Sequence, residues 1–100
     1  MSIDEIYYIR RKIGERALLE QLAEECNELA HASLKMIRAK GLSENVTPVD
    51  EHEAEKALRV EAIHVHMIMR VLGIEIPRRA VENAPEWERW AKRLKETETK

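Results

Sequence analysis

The chain has 100 residues and a mass of 11.7 kDa, which is the size of one domain and excludes two. Hydrophobic residues make up 44% and charged residues 36%, a mixture too apolar for a disordered chain and too charged for a membrane protein. The 17 basic and 19 acidic residues leave a net charge of −2, which argues against a protein built mainly to bind nucleic acid. We therefore expect a single domain over residues 1–100.

Ser2 followed by Glu5 is a capping box, which predicts a first helix over residues 3–12. A long second helix is expected over residues 15–39, because Gly41 is a natural C-terminal stop. The N-terminal segment lacks the apolar core of a signal peptide, and no stretch approaches the ~20 apolar residues of a membrane span. These features predict a cytoplasmic protein without a membrane partner.

A second sequence signature of a helix start follows the predicted loop at residues 40–46. Thr47 is predicted as the N-cap, with Pro48 at the first helical position and Asp50 closing the capping box. The third helix is then expected to run to about residue 72, where Gly73 stops it.

Pro85, with Asn83 before it and Glu86 after it, marks the start of a fourth helix. Trp87 and Trp90 lie three residues apart on this helix, so they are expected to pack it onto the others. Four helices with apolar stripes predict an all-α four-helix bundle, because each stripe must be buried against another helix.

The apolar stripe of the second helix is expected to comprise Leu18, Leu22, Cys26, Leu29, Ser33 and Met36. Cys26, the only cysteine, is therefore predicted to be a small core residue; it rules out an intrachain disulfide and any cluster built on several thiolates. Glu25 lies at the border of the stripe, about 20° from Leu18 on a helical wheel. Glu28 and then Glu24 lie further round, so three carboxylates flank the face that meets the core.

The third helix is apolar around most of its circumference, which is typical of a helix buried on most sides. It has more apolar surface than its neighbours can cover, so a homodimer or a dimer of dimers packed through this helix is expected. Glu61 and His64 fall within the apolar arc. An ionised glutamate in such a place is costly unless it is paired or coordinates a metal.

A cation bound between two helices is the simplest way to offset the cost of burying the charge of Glu61. Carboxylates three residues apart on neighbouring helices can converge on a metal in a bundle core. Glu25 and Glu28 supply one such pair, and Glu61 and His64 supply the other. A site dominated by carboxylates favours hard ions such as Mg²⁺ or Mn²⁺.

The segment LAEECNELA at residues 22–30 resembles the EExxE signature of the MazG-like nucleoside triphosphate pyrophosphohydrolases. The second signature of that family, ExxD, is matched in residues 60–69 by Glu61, while His64 stands where the family has Asp. The resemblance covers roughly residues 15–73 of the chain.

The resemblance implies an all-α enzyme that cleaves nucleoside triphosphates to monophosphate and pyrophosphate with Mg²⁺ and that forms dimers. Carried over residue by residue, the implied metal ligands are Glu25, Glu28, Glu61 and, in the place of the Asp, His64. Glu24 would bind a further metal or orient the attacking water, and Lys35 would face phosphate.

Several alternatives stay open at the level of sequence. His64 could shift the metal preference toward Mn²⁺ or another transition ion, leave a weak Mg²⁺ enzyme, or mark a relative without catalysis that acts as a nucleotide- or metal-binding or oligomeric helical module. Taken alone, Glu24, Glu25 and Glu28 also fit a solvated helix face without a ligand. His64 alone also fits a histidine that is hydrogen-bonded in the core.

Overall fold

The computed structural model describes residues 1–44 and 48–98, and in these ranges the chain is all-α, as predicted, with no strand. Its helices are α1 (Ile3–Ile13), α2 (Glu15–Ala39), α3 (Glu51–Val71), α4 (Arg78–Glu82) and α5 (Pro85–Glu98). The four longer helices match the predicted number. The start of α1, both ends of α2 and the start of α5 agree with the sequence-based bounds.

The first two helices are separated by a single glycine. The hydroxyl of Ser2 accepts a hydrogen bond from the backbone N–H of Glu5 at 3.2 Å, and the Glu5 carboxylate accepts one from the N–H of Ser2 at 3.1 Å, so the capping box is confirmed. Gly14 has a φ of 90°, a conformation that other residues rarely adopt. The chain therefore changes direction there without a longer loop.

The predicted start of α3 is wrong by three residues. Asp50 is the N-cap, and its carboxylate accepts a hydrogen bond from the N–H of Glu53 at 3.0 Å. Pro48 precedes the helix rather than opening it, and Thr47, the predicted N-cap, lies outside the described residues. A short acidic side chain caps a helix at least as well as threonine, so Asp50 takes the role that was expected of Thr47.

The short helix α4 was not predicted. Pro77 immediately precedes it, and Arg78 forms an ion pair with Glu82 at 2.6 Å across its single turn. A helix of five residues is too short to show an apolar period in the sequence.

The packed part of the chain consists of α1, α2 and α3. Nε of Arg10, near the end of α1, donates to the backbone oxygen of Val71 at the end of α3. Because α2 begins only a few residues after Arg10, its start lies beside the end of α3, and the two long helices run antiparallel. The buried apolar residues of the described chain are Ile6, Leu18, Ala32, Ala54, Val65 and Val71.

Cys26 was predicted to lie in the core, and this prediction is wrong, because its side chain is exposed. The line through Leu18, Glu25 and Ala32 faces α3, and both Leu18 and Ala32 are buried. Cys26 follows Glu25 by one residue and is therefore turned about 100° away from that line.

The expectation that the tryptophans pack the last helix onto the others is also wrong for the single chain. Among the described residues, no Cα of α4 or α5 comes within 8 Å of α1, α2 or α3. Trp87 and Trp90 are 52% and 53% exposed and stack on each other, with ring centroids 5.9 Å apart. The radius of gyration is 17.9 Å, whereas a compact chain of this length has about 13 Å. Trp87 donates a hydrogen bond from Nε1 to the backbone oxygen of Val81 in α4 at 2.9 Å, but a single copy leaves α5 unpacked against α1, α2 and α3.

Replacing Arg10 by Met should lower the free energy of unfolding by about 1.5–3 kcal/mol, because the carbonyl of Val71 loses a charged donor. Urea denaturation measures this change. Arg11→Met is the matched control: it removes the same charge from an exposed position and should change stability by less than about 0.5 kcal/mol. Equal effects of both substitutions would contradict the assigned role of Arg10.

Candidate metal centre

Four side chains from α2 and α3 meet halfway along the antiparallel pair. Glu25 and Glu28 come from α2, and Glu61 and His64 come from α3. Residues three apart lie on the same side of a helix, so each helix presents two of its side chains to the other. One ligand atom from each of the four lies within 4.8 Å of all the others. The sequence-based expectation that these four residues converge agrees with this geometry.

The distances within the group suit a bound cation. Nδ1 of His64 lies 3.5 Å from Oε2 of Glu25 and 3.5 Å from Oε2 of Glu61. Two ligands at right angles on an ion with bonds of about 2.1–2.3 Å lie about 3.0–3.3 Å apart, and two opposite ligands lie about 4.2–4.6 Å apart. Shifts of a few tenths of an ångström would therefore bring the four atoms to coordination distances.

Two carboxylate oxygens in the group accept no hydrogen bond, and Nδ1 of His64 lies 3.5 Å from each of them. Oε2 of Glu25 and Oε2 of Glu61 are buried, and neither accepts a hydrogen bond from the described residues. The other oxygen of Glu25 accepts a hydrogen bond from Nε2 of Gln21 at 2.8 Å, which holds the carboxylate in place. Leaving buried acceptors unsatisfied costs about 1–3 kcal/mol each, and more for charged groups. A metal ion would satisfy both oxygens.

The carboxylates also repel one another. A hydrogen bond with Glu61, followed by the negative charges of Glu25 and Glu61, raises the pKa of Glu28. Loss of the Glu28 proton is less favourable beside the other two carboxyl groups, because three negative charges close together repel one another. A divalent cation would relieve the same repulsion by offsetting charge.

The group is open to solvent on one side. The side chain of Glu25 is 13% exposed and that of Glu61 is 23% exposed, whereas that of His64 is 43% exposed. Glu28 is also exposed. A ligand could therefore reach the group from the side of Glu28 and His64, while Glu25 and Glu61 line its floor.

Two of the residues singled out from the sequence lie outside this group. Glu24 is exposed and is turned about 100° from Glu25, toward solvent. Lys35 is exposed too, about 10 Å further along α2 than Glu28 and on the same side of the helix. The roles expected for Glu24 and Lys35 therefore stay predictions. Gln21 was missed, although its spacing of four residues before Glu25 could have indicated the contact.

Within the described residues, no second set of three or more potential metal-ligating side chains converges in this way. No helix in the same part of the chain is long and apolar enough to cross a lipid bilayer. Comparisons of the chain with protein-family models, with curated proteins and with solved structures find no match.

The raised pKa of Glu28 predicts how the stability of the metal-free protein depends on pH. A carboxyl group whose pKa is raised by folding stabilises the fold below its ordinary pKa of 4.5, and this contribution is lost as the pH rises through the raised value. In a chelator, the melting temperature of the wild type should therefore fall more steeply as the pH rises above about 4.5 than that of Glu28→Gln. Glu24→Gln, at an exposed neighbouring carboxylate, should keep the wild-type slope. Equal slopes for all three proteins would show that the neighbouring carboxylates do not raise the pKa of Glu28.

Proposed function

We propose that Glu25, Glu28, Glu61 and His64 form a divalent metal centre. The observation that carries this proposal is the convergence of the four side chains around two buried carboxylate oxygens that lack donors. Three ionised carboxylates bring a formal charge of −3, which a divalent ion largely offsets. Glu25, fixed by Gln21, and Glu61 would hold the ion from the floor of the group, and Glu28 and His64 from its rim.

The reaction proposed for this centre is the hydrolysis of nucleoside triphosphates to a monophosphate and pyrophosphate. The resemblance of residues 22–30 and of Glu61 to the two signatures of the MazG-like pyrophosphohydrolases supports this choice. The metal centre lies on the two helices that carry these signatures. A fold of the MazG-like type and a cytoplasmic role in cleaning the nucleotide pool belong to the same proposal.

The proposed chemistry needs charge and position rather than a covalent intermediate. A bound divalent cation supplies the positive charge and the activated water that phosphoanhydride cleavage requires. The oxygen of the water bonds to the α-phosphorus, the bond to the bridging oxygen breaks, and pyrophosphate leaves. Glu24 is placed on the solvent side of the group, where it could take the proton of the water. Lys35 is placed further along α2, where it could contact a phosphate.

His64 affects the choice of metal. Imidazole is a poor ligand for Mg²⁺ and a good one for transition ions, so this centre should prefer Mn²⁺ or Co²⁺ to the Mg²⁺ that the resemblance implies. A hundredfold excess of Mn²⁺ over its Kd should stabilise the wild type by about 2.7 kcal/mol, or roughly 10–20 °C in melting temperature. Mg²⁺ should raise the melting temperature by less. In His64→Asp, the shifts produced by the two ions should differ less than in the wild type. Equal shifts with both ions in the wild type would contradict this preference.

The enzymatic function is tested by pyrophosphate release from a panel of ribo- and deoxyribonucleoside triphosphates with Mg²⁺, Mn²⁺ or Co²⁺. Wild-type activity should fall at least about 100-fold in Glu61→Gln, because a ligand carboxylate is lost without a change in shape. Glu55→Gln, about 120° away from Glu61 around α3, is the matched control and should keep full activity. Failure of the wild type with every substrate and metal would exclude the enzyme.

A relative without catalysis is the second candidate, because His64 stands where the resemblance expects Asp. Such a protein should show metal- or nucleotide-dependent stabilisation without turnover. Rescue of activity by His64→Asp would assign the lost catalysis to this one ligand.

A homodimer or a dimer of dimers is part of the proposal as well. The outer side of α3 leaves Val60, Ile63 and Met67 exposed in the single chain. Burial of such surface against a second copy would complete a bundle that α1, α2 and α3 leave partly open.

A further inference from the structure

The last two turns of α3 and the segment that follows them border a hollow on the surface of the chain. Its volume is about 540 Å³, which lies in the range of small-molecule binding sites. Residues 66–70 form one wall of the hollow, and residues 74–77 form the other. We call it the α3-end hollow. Its apolar lining consists of Met69, Ile74, Ile76 and Pro77.

Backbone hydrogen bonds at the end of α3 hold the second wall in place. Gly73 has a φ of 80°, and its N–H donates to the carbonyl of Arg70 at 3.0 Å. The N–H of Ile74 donates to the carbonyl of Met69 at 2.9 Å. This pair of bonds is the Schellman motif, in which a left-handed glycine turns the chain back against its own helix. The two walls are therefore fixed before any ligand binds.

Two opposite charges line the hollow without pairing. Arg70 lies on the wall that α3 forms, and Glu75 lies on the other wall; both residues are exposed. Neither side chain forms an ion pair within the described part of the chain. Other exposed arginines, such as Arg16 and Arg59, pair with a glutamate one turn away. The charges of Arg70 and Glu75 are therefore both available to a ligand that lies between them.

These charges favour a small zwitterion with an apolar body. A guanidinium donates two parallel hydrogen bonds to a carboxylate, and a carboxylate accepts hydrogen bonds from an ammonium group. The charges of Arg70 and Glu75 sum to zero, so a ligand without net charge leaves none uncompensated. A phosphate group would bring about two negative charges close to Glu75. It would also lie near the C-terminal end of α3, where the helix dipole disfavours anions.

A second hollow, of about 390 Å³, shares His66 and Arg70 with the first. Its other lining residues are Met1, Ala62, Ile63 and Met67, so among the described residues it has no acidic group. A ligand whose carboxylate binds Arg70 finds a partner for its ammonium group only in the α3-end hollow, at Glu75.

We propose that the α3-end hollow binds a free α-amino acid with a large apolar side chain. The α-carboxylate pairs with Arg70, the α-ammonium group pairs with Glu75, and the side chain lies against the apolar lining. Arg70 is turned about 180° from Glu61 around α3, so the site lies on the side of the helix away from the metal centre. Binding depends neither on a metal nor on the hydrolysis of nucleotides.

Titration of the ¹⁵N-labelled chain in metal-free buffer, followed by ¹H–¹⁵N NMR, tests the proposal. L-Leucine, L-methionine and L-phenylalanine should shift the amide signals of residues 66–76 saturably, with a Kd of about 1 mM or lower. Glycine, which has no side chain to bury, should bind at least about tenfold more weakly. The absence of saturable shifts with all three amino acids would overturn the proposal, and so would shifts centred on residues 21–28 or on α5.

Two analogues of leucine separate the two charged contacts. Leucinamide lacks the carboxylate and 4-methylpentanoate lacks the ammonium group, so each should bind at least about tenfold more weakly than leucine. Arg70→Gln should weaken the binding of leucine by a similar factor without weakening that of leucinamide. Glu75→Gln should weaken leucine without weakening 4-methylpentanoate. Equal affinities of the wild type for leucine and leucinamide would contradict the assigned contacts.

Matched controls come from charged residues outside the hollow. Arg79→Gln and Glu44→Gln remove the same charges from other exposed positions, and both variants should keep the wild-type Kd for leucine. All four substitutions change exposed side chains, so the fold should be kept, which far-UV circular dichroism checks. Equal losses of affinity in Arg70→Gln and Arg79→Gln would refute a site in the α3-end hollow.

Discussion

The antiparallel contact between α2 and α3 is the constraint on which the rest of the structure depends. It buries Leu18, Ala32 and Val65, and at the same level along the helices it brings Glu25 close to Glu61. Hydrophobic burial along the pair therefore forces carboxylates together that would separate in water. The raised pKa of Glu28 and the two oxygens without donors are consequences of that packing. A cation would turn this local repulsion into a further contact between the helices.

The hydrophobic core of a single copy is small. Only a few of the described apolar side chains are buried, most of them valine or alanine, and α5 does not pack against α1, α2 or α3. A chain of 100 residues with so little buried apolar surface has a narrow margin of stability. Apolar side chains of α2, α3 and α5 stay exposed in the single chain, and the proposed assembly with a second copy would bury part of them. Binding of a metal between α2 and α3 would stabilise the fold further.

Much of this architecture could be predicted from the sequence because it depends on local signals. The capping box at Ser2 and the spacing of Glu25, Glu28, Glu61 and His64 each act within one or two helical turns. The errors involve longer-range choices. Cys26 is as apolar as the residues on the buried face of α2. Only the position of α3 determines that Cys26 lies outside that face. Trp87 and Trp90 have the spacing of a packed stripe, but the sequence does not show whether the covering surface belongs to the same chain.

The bond from Arg10 to the carbonyl of Val71 has a consequence for the geometry of the four-residue group. At one end of the α2–α3 pair, the connection through residues 40–50 holds the helices together covalently. At the other end no peptide link joins them, and the guanidinium of Arg10 ties the segment just before α2 to the last turn of α3. The four-residue group lies roughly midway along the two helices. If α2 and α3 moved apart at the Arg10 end, the pair of side chains on α2 would separate from the pair on α3 by about half that distance. A single guanidinium some distance from the carboxylates thus helps to set the width of the gap in which an ion would sit.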